Sequence, residues 1–231
     1  MPGAKFFPDA SLNFAENLLS RDGDDVALYF NNEGVNAAPV TWTQLRRDVA
    51  RFAAVLRGWG IAPGDRVAAF MPNCPEALIA MLAAASIGAV FSSCSPDFGV
   101  RGVLDRFGQT EPKVLIACDG YRYAGKVLPS HEKLGEIIAG LPTLEHVAIV
   151  PFIGEGPKGL AKAEDWTTLL AAHDGAALTF TRLPFAHPLY IMFSSGTTGV
   201  PKCIVHSAGG TLLQHVKEHK LHVGLKPGEV L

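Results

Sequence analysis

Apolar residues fall into short unbroken runs separated by longer amphipathic stretches, and from about residue 65 to residue 150 the two kinds of segment alternate. The runs lie at 65–71, 89–91, 112–118 and 146–150. Each is of strand length and, after at most two leading residues such as Asp65 and Arg66 or Pro112 and Lys113, apolar at consecutive positions, as strands covered on both faces are. Between them the period lengthens to that of a helix. Leu78, Met81, Leu82 and Ala85 share one side of the segment that Pro72 and Pro75 open and Gly88 closes. The segment from Val100 to Phe107 turns Leu104 and Phe107 inward, and 134–141 reads as a further helix. This rhythm predicts parallel βαβ units and an α/β fold.

Upstream, 26–30 reads as a strand, 31–34 as a turn and 40–42 as a returning strand. A helix is predicted over 44–56, with Leu45, Val49, Phe52, Ala53 and Leu56 on one face. Thr41 and Gln44 have capping-box spacing, Thr43 is an equal candidate for the cap, and Gly58 and Gly60 end the helix. Arg46, Arg47, Asp48 and Arg51 read as its solvated side. Ser11 is expected to cap a short helix over 12–19. Residues 151–165 read as a loose excursion, 166–172 as a short helix, 203–205 as a strand and 211–221 as a helix.

The chemistry concentrates after the apolar run that begins at Tyr190. Ser194, Ser195, Gly196, Thr197, Thr198 and Gly199 follow it, then Val200, Pro201 and Lys202. Glycines let a backbone turn tightly and approach a ligand. Successive N–H groups in such a turn form an anion nest, the hydroxyls add donors and the lysine adds charge. A polyphosphate suits this loop. The Walker A spacing is absent, which argues against a P-loop NTPase.

Two other segments leave more than one reading open. Residues 92–99 form a polar loop where a strand ends, an edge at which α/β sheets bind ligands. Tyr121, Arg122, Tyr123 and Lys126 set two aromatics and two cations in one short loop, either a nucleotide clamp or an ordinary surface turn. His215, His219 and His222 share a helical face, a spacing seen in metal sites, but nothing completes a ligand set. A plain amphipathic or interdomain face is the preferred reading.

The string from Tyr190 to Lys202 resembles the phosphate-binding signature of the acyl-adenylate-forming superfamily, which includes acyl-CoA synthetases, luciferases and peptide-synthetase adenylation domains. Residues 6–19 resemble the N-terminal segment of its acetyl-CoA-synthetase branch. Residues 92–109 and 119–126 resemble the acetoacetyl-CoA synthetases within that branch. The resemblance spans nearly the whole chain. It implies a partial N-terminal domain of an acyl-adenylate-forming enzyme, with mostly parallel sheets flanked by helices. Residues 1–22 would be the N-terminal acetyl-CoA-synthetase-like segment. Residues 23–231 would be the first part of an AMP-binding domain, incomplete at its C-terminal end.

The activity so implied has two steps. ATP with Mg²⁺ activates acetoacetate as acetoacetyl-AMP, and the thiol of coenzyme A displaces AMP. A carboxylate oxygen is a poor leaving group and AMP a good one. Charge grows on the phosphates during attack, so prepositioned N–H groups and cations act mainly by electrostatics. Carried onto this sequence, Ser194, Ser195, Gly196, Thr197, Thr198 and Gly199 would wrap the pyrophosphate portion of ATP, and Lys202 would neutralise it. One threonine hydroxyl would approach Mg²⁺. Arg122 and Lys126 would meet the 3′-phosphate end of coenzyme A. No catalytic residue and no metal ligand is assigned, because the family's remaining contacts and its catalytic lysine lie downstream of this loop. The alternatives are a truncated, non-catalytic fragment and a ligase for another short acid such as acetate or propionate. The 231 residues alone are expected to be inactive and to expose apolar patches.

Composition changes this picture little. The chain has 231 residues, 48% hydrophobic and 18% charged, which suffices for a core and argues against disorder. A net charge of −2 gives no footprint for nucleic acid. The partners expected are small-molecule substrates, with neither nucleic acid nor membrane. Cys74, Cys94, Cys118 and Cys203 show no zinc spacing and read as reduced thiols packed as small hydrophobes. The N-terminus lacks an apolar signal region, and 77–91 is too short to span a bilayer. A cytoplasmic location is the expectation.

Overall fold

The computed structural model describes residues 3–33, 35–36, 38–194 and 199–231. Its first elements differ from expectation. Ser11–Leu12 (β1) is extended and pairs antiparallel with Leu183 and Pro184, so Ser11 caps nothing. The helix that follows, Phe14–Leu18 (α1), is capped by Asn13. An amide can do both jobs that the site requires. The Asn13 oxygen accepts the Glu16 N–H, while its buried nitrogen is shared among the carbonyls of Ala85, Ser86 and Thr181 at 2.9–3.0 Å. A serine hydroxyl has a single donor hydrogen and could not serve several carbonyls while accepting that N–H.

Val26–Leu28 (β2) pairs antiparallel with Val40–Thr41 (β5), as the hairpin reading requires, and Asn31–Asn32 (β3) with Val35–Asn36 (β4) forms its tip. Helix α2 runs Trp42–Gly58. Thr41 is its cap and the reciprocal Gln44 contact is made, so the capping-box reading holds and Thr43 lies inside the helix.

The central alternation appears as expected: Arg66–Phe70 (β6), Pro75–Ile87 (α3), Val90–Cys94 (β7), Val100–Thr110 (α4) and Val114–Cys118 (β8). Then come Gly120–Tyr123 (β9), Lys126–Pro129 (β10), His131–Gly140 (α5) and His146–Val150 (β11). The excursion after β11 is not wholly irregular, because Ala163–Asp165 (β12) lies parallel against β11 before Trp166–Ala171 (α6). Leu183–Pro184 (β13) is the partner of β1. Pro188–Phe193 (β14), Cys203–Ser207 (β15) and Ala208–Lys217 (α7) close the order. Ser207 caps α7, and the helix widens into a π-helical turn at Glu218–Val223.

One seven-stranded sheet, in the order β12-β11-β8-β6-β7-β14-β15, organises the molecule. All neighbours are parallel except β14 and β15. Alternate side chains of the inner strands enter two separate cores. Val67, Ala69, Val114 and Ile116 face α1, α2, α3 and α6. Ala68, Phe70, Leu115 and Ala117 face α4 and α5. Burial on both faces explains why these strands read as unbroken apolar runs rather than alternating ones.

Candidate functional site

Because β6, β7, β8, β11 and β14 are parallel, the loops that leave their carboxyl ends gather along one edge of the sheet. After β6 the chain passes to α3 on one face, and after β7 to α4 on the other. Loops that part in this way leave a crevice, the usual ligand position in such sheets. A cleft of about 310 Å³ lies there, lined by Met71, Asn73, Phe91, Ser93 and Ser95 among others.

The segment expected to bind phosphate follows the carboxyl end of β14, at the same edge. Ser195, Gly196, Thr197 and Thr198 lie outside the described residues; Ser194, Gly199 and Lys202 are described. Ser194 and Lys202 close the loop at its feet. The Ser194 N–H donates to the Lys202 carbonyl at 3.0 Å, and the Lys202 N–H donates to Ser194 Oγ at 3.1 Å. Here β14 and β15 form an antiparallel hairpin, so the segment leaves and re-enters one ribbon and its ends are fixed. The Lys202 side chain is exposed.

Helix α4 supports both limbs of this hairpin. Gln109 Nε2 donates to the Pro201 carbonyl at 2.9 Å on the return limb. The Arg106 guanidinium lies 5.9 Å from the Phe193 ring on the outgoing limb and 4.4 Å from that of Phe98. Gln109 and Arg106 fall within 92–109, but their sequence positions did not single them out. Only the crossing of α4 behind β14 brings them to the loop.

The segment 121–126, read as a short loop, is a two-stranded ribbon of β9 and β10. Its two-residue turn places Ala124 at φ 51° and Gly125 at φ 73°. Both central residues of a type I′ turn require positive φ, which glycine adopts without cost and alanine does not. Lys126 is opposite Tyr123, and Val127 opposite Arg122. Directly paired residues share a face, so Arg122 and Lys126 lie on opposite faces of the ribbon. A ligand gripped by both must engage its tip or edge. Burial first, and then the nearby Asp97 carboxylate, raise the Tyr121 phenol above its ordinary pKa.

The ribbon's base is fixed by Asp119, which is fully buried. Its carboxylate accepts the N–H groups of Ile153, Glu155 and Gly156 at 2.6–2.9 Å. At Gly120 an added Cβ would stand 2.5 Å from Ile153 Cδ1 and 2.8 Å from the Leu128 carbonyl, so the close approach requires glycine. The tip is held from elsewhere: Glu33 accepts the N–H groups of Ala124 and Gly125. Asp119 had a readable signal, an acid directly after an apolar strand at the ligand edge. Glu33 had none, since it is about ninety residues distant along the chain.

His215 in α7 packs edge-on against Phe14 at 5.9 Å, and His219 lies in the π-helical turn with ring centroids 6.2 Å away. The wider turn breaks the even helical spacing. Among the described residues no group of three or more His, Cys, Asp or Glu could hold a metal ion. Cys74, Cys94 and Cys118 are buried, and burial pushes the Cys94 thiol up to about 11 and Cys118 to about 12. They are inert structural thiols. Cys203 is the correction: it stands exposed on β15, the last strand of the sheet among the described residues.

The family described as AMP-binding enzyme matches residues 15–231. The chain belongs to the AMP-binding enzyme family. Within it, the chain is 54% identical over its full length to an acetoacetyl-coenzyme A synthetase of Rhizobium meliloti (strain 1021). It is 49% identical over 98% of its length to an acetoacetyl-CoA synthetase of Rattus norvegicus. The solved acetoacetyl-CoA synthetase from Streptomyces lividans superposes with a TM-score of 0.94 over 99% of this chain, at 48% identity. The chain spans 35–36% of the length of these AMP-binding enzymes. No helix among the described residues is long and apolar enough to cross a membrane.

Proposed function

We propose that this chain is the N-terminal portion of an acid–thiol ligase that uses ATP to convert acetoacetate into acetoacetyl-AMP and then passes the acyl group to coenzyme A. The observation that carries the reading is 54% identity over the whole chain to an acetoacetyl-coenzyme A synthetase. The fixed feet of the loop at Ser194 and Lys202 support it, because a phosphate-binding loop needs anchored ends. Residues 1–22 are the leading segment, and 23–231 the first part of the adenylation domain.

In this reading the stretch from Ser194 to Gly199 wraps the β- and γ-phosphates, with Ser195, Gly196, Thr197 and Thr198 at its centre. Lys202 carries charge to the departing pyrophosphate. Arg122 and Lys126 meet the phosphates of coenzyme A at the ribbon tip. Mg²⁺ enters as part of the ATP substrate. Among the described residues no group of three or more His, Cys, Asp or Glu could hold it, and one threonine hydroxyl of the loop, Thr197 or Thr198, would approach it. The acid is acetoacetate rather than acetate or propionate. A malonamoyl-CoA synthetase of Penicillium aethiopicum at 41% identity shows that a relative of this similarity can bear the name of a different acid, so specificity needs its own measurement. Acetoacetyl-CoA formation would belong to ketone-body and lipid metabolism. The unpaired buried thiols favour a reducing compartment, and we place the protein in the cytoplasm.

The test is acetoacetate-dependent exchange of pyrophosphate into ATP by the full-length gene product. Exchange is expected with acetoacetate in preference to acetate and propionate, and Lys202→Ala should lower it by roughly 10²-fold, the scale of losing one transition-state contact. Exchange unchanged in that variant removes Lys202 from the phosphate site. Preference for acetate overturns the substrate.

A further inference from the structure

Glu33 sits on the turn between β3 and β4, yet its carboxylate reaches the tip of the β9–β10 ribbon. Oε1 accepts the Ala124 N–H and Oε2 the Gly125 N–H, each at 2.8 Å. One carboxylate thus satisfies two successive donors with charge-assisted bonds. The residues involved are themselves unusual. Glu33 has φ 43° and Ala124 has φ 51°, both in the left-handed region that non-glycine residues avoid. Such conformations persist where the surroundings over-determine them, and they gather at ligand clamps. A two-stranded ribbon is marginal alone, and this one pairs with no other strand among the described residues. Asp119 and Gly120 fix its base; Glu33 fixes its tip.

We infer that Glu33 is a positioning residue for the coenzyme A step. It does not touch coenzyme A. It holds the turn between Tyr123 and Lys126, and with it the placement of Lys126 beside the turn and of Arg122 one pair further down on the opposite face. Because the Glu33 carboxylate is engaged by two N–H groups, it shapes the tip instead of competing there for the two cations. This inference rests on the reading of the ribbon as the coenzyme A contact.

Without Glu33 the tip would hold its binding geometry for only a fraction of the time, and apparent affinity falls by that fraction. In the full-length gene product, Glu33→Ala is expected to raise KM for coenzyme A about five- to tenfold. KM for ATP and the rate of pyrophosphate exchange, which needs no coenzyme A, should stay at wild-type values. Glu33→Gln, which keeps one oxygen acceptor, should recover part of the loss. Arg122→Ala is measured beside it. If Arg122→Ala raises KM for coenzyme A and Glu33→Ala does not, the role of Glu33 is overturned while the ribbon keeps its function. If neither variant changes that KM, the ribbon reading itself fails, and the inference with it. If Glu33→Ala depresses exchange as strongly as it weakens coenzyme A, Glu33 is merely structural and the proposal is wrong.

Discussion

Strands β8 and β15 belong to one sheet, and the first three residues of β15 are as apolar as β8, before His206 and Ser207 end it. Val114-Leu-Ile-Ala-Cys118 and Cys203-Ile-Val205 are both short, β-branched and apolar. Every residue of β8 is buried, whereas on β15 Ile204 is 47% exposed and Val205 57% exposed. The difference lies in their neighbours. β8 has a strand on each side, and side chains from its two faces enter the two helix-covered cores. β15 is the last strand, and Ile204 and Val205 lie on opposite faces of it. Met192, opposite Ile204 on β14, is also exposed, at 53%. Met192 and Ile204 thus form an exposed apolar pair on the last two strands of the sheet. Apolar sequence reports a strand's capacity for burial; coverage decides whether it is used.

The sharpest test of that contrast compares matched truncations in the two strands. Ile116→Ala should cost about 2–5 kcal/mol by urea unfolding, since it empties a filled core site. Ile204→Ala should cost under about 1 kcal/mol, as surface changes do. Equal losses would mean that the β15 face is covered in solution. A smaller effect is expected at the ribbon's base, where Gly120→Ala forces a methyl onto Ile153 and the Leu128 carbonyl at a cost of roughly 1–3 kcal/mol. Wild-type stability in that variant would show that the excursion after β11 yields readily.

A modest loss, comparable to that at Ile204, is expected from removing the ion pair between Asp65 and Lys113 at 3.0 Å, which ties the start of β6 to the start of β8. Burial opposes ionisation of Asp65, but the Ala62 N–H and the Lys113 ammonium outweigh it and hold the carboxyl below its ordinary 3.8. A depressed folded pKa contributes stability that is fully present above the unfolded value and disappears as pH falls through the folded one. Asp65→Asn should therefore cost on the order of 1 kcal/mol near neutral pH, and the gap to wild type should close below about pH 4. A gap that persists in acid would assign the effect to packing instead.

Much of this was legible because local rules and global fold agreed. The helix over Trp42–Gly58 was readable from its capping box and apolar face. The inner strands were readable from apolar runs, and the residue types between Ser194 and Lys202 pointed to a phosphate-binding loop. Misreadings arose where a partner distant in sequence decided the conformation. Ser11 was taken into β1 by Leu183 and Pro184, and β12 formed only because β11 offered it an edge. Residues 121–126 had no strand pattern strong enough to reveal a ribbon. They form one because Asp119 and Glu33 fix its two ends.

Periodicity and residue type over short spans carried the central α/β alternation and the chemical character of the loop from Ser194 to Lys202. The tertiary structure placed Arg122 and Lys126 on opposite faces, set α4 against the return limb at Pro201, and brought Glu33 to a turn about ninety residues away. Contacts of that kind depend on which strands become neighbours, and strand order is set by the packing of the whole sheet rather than by any one segment.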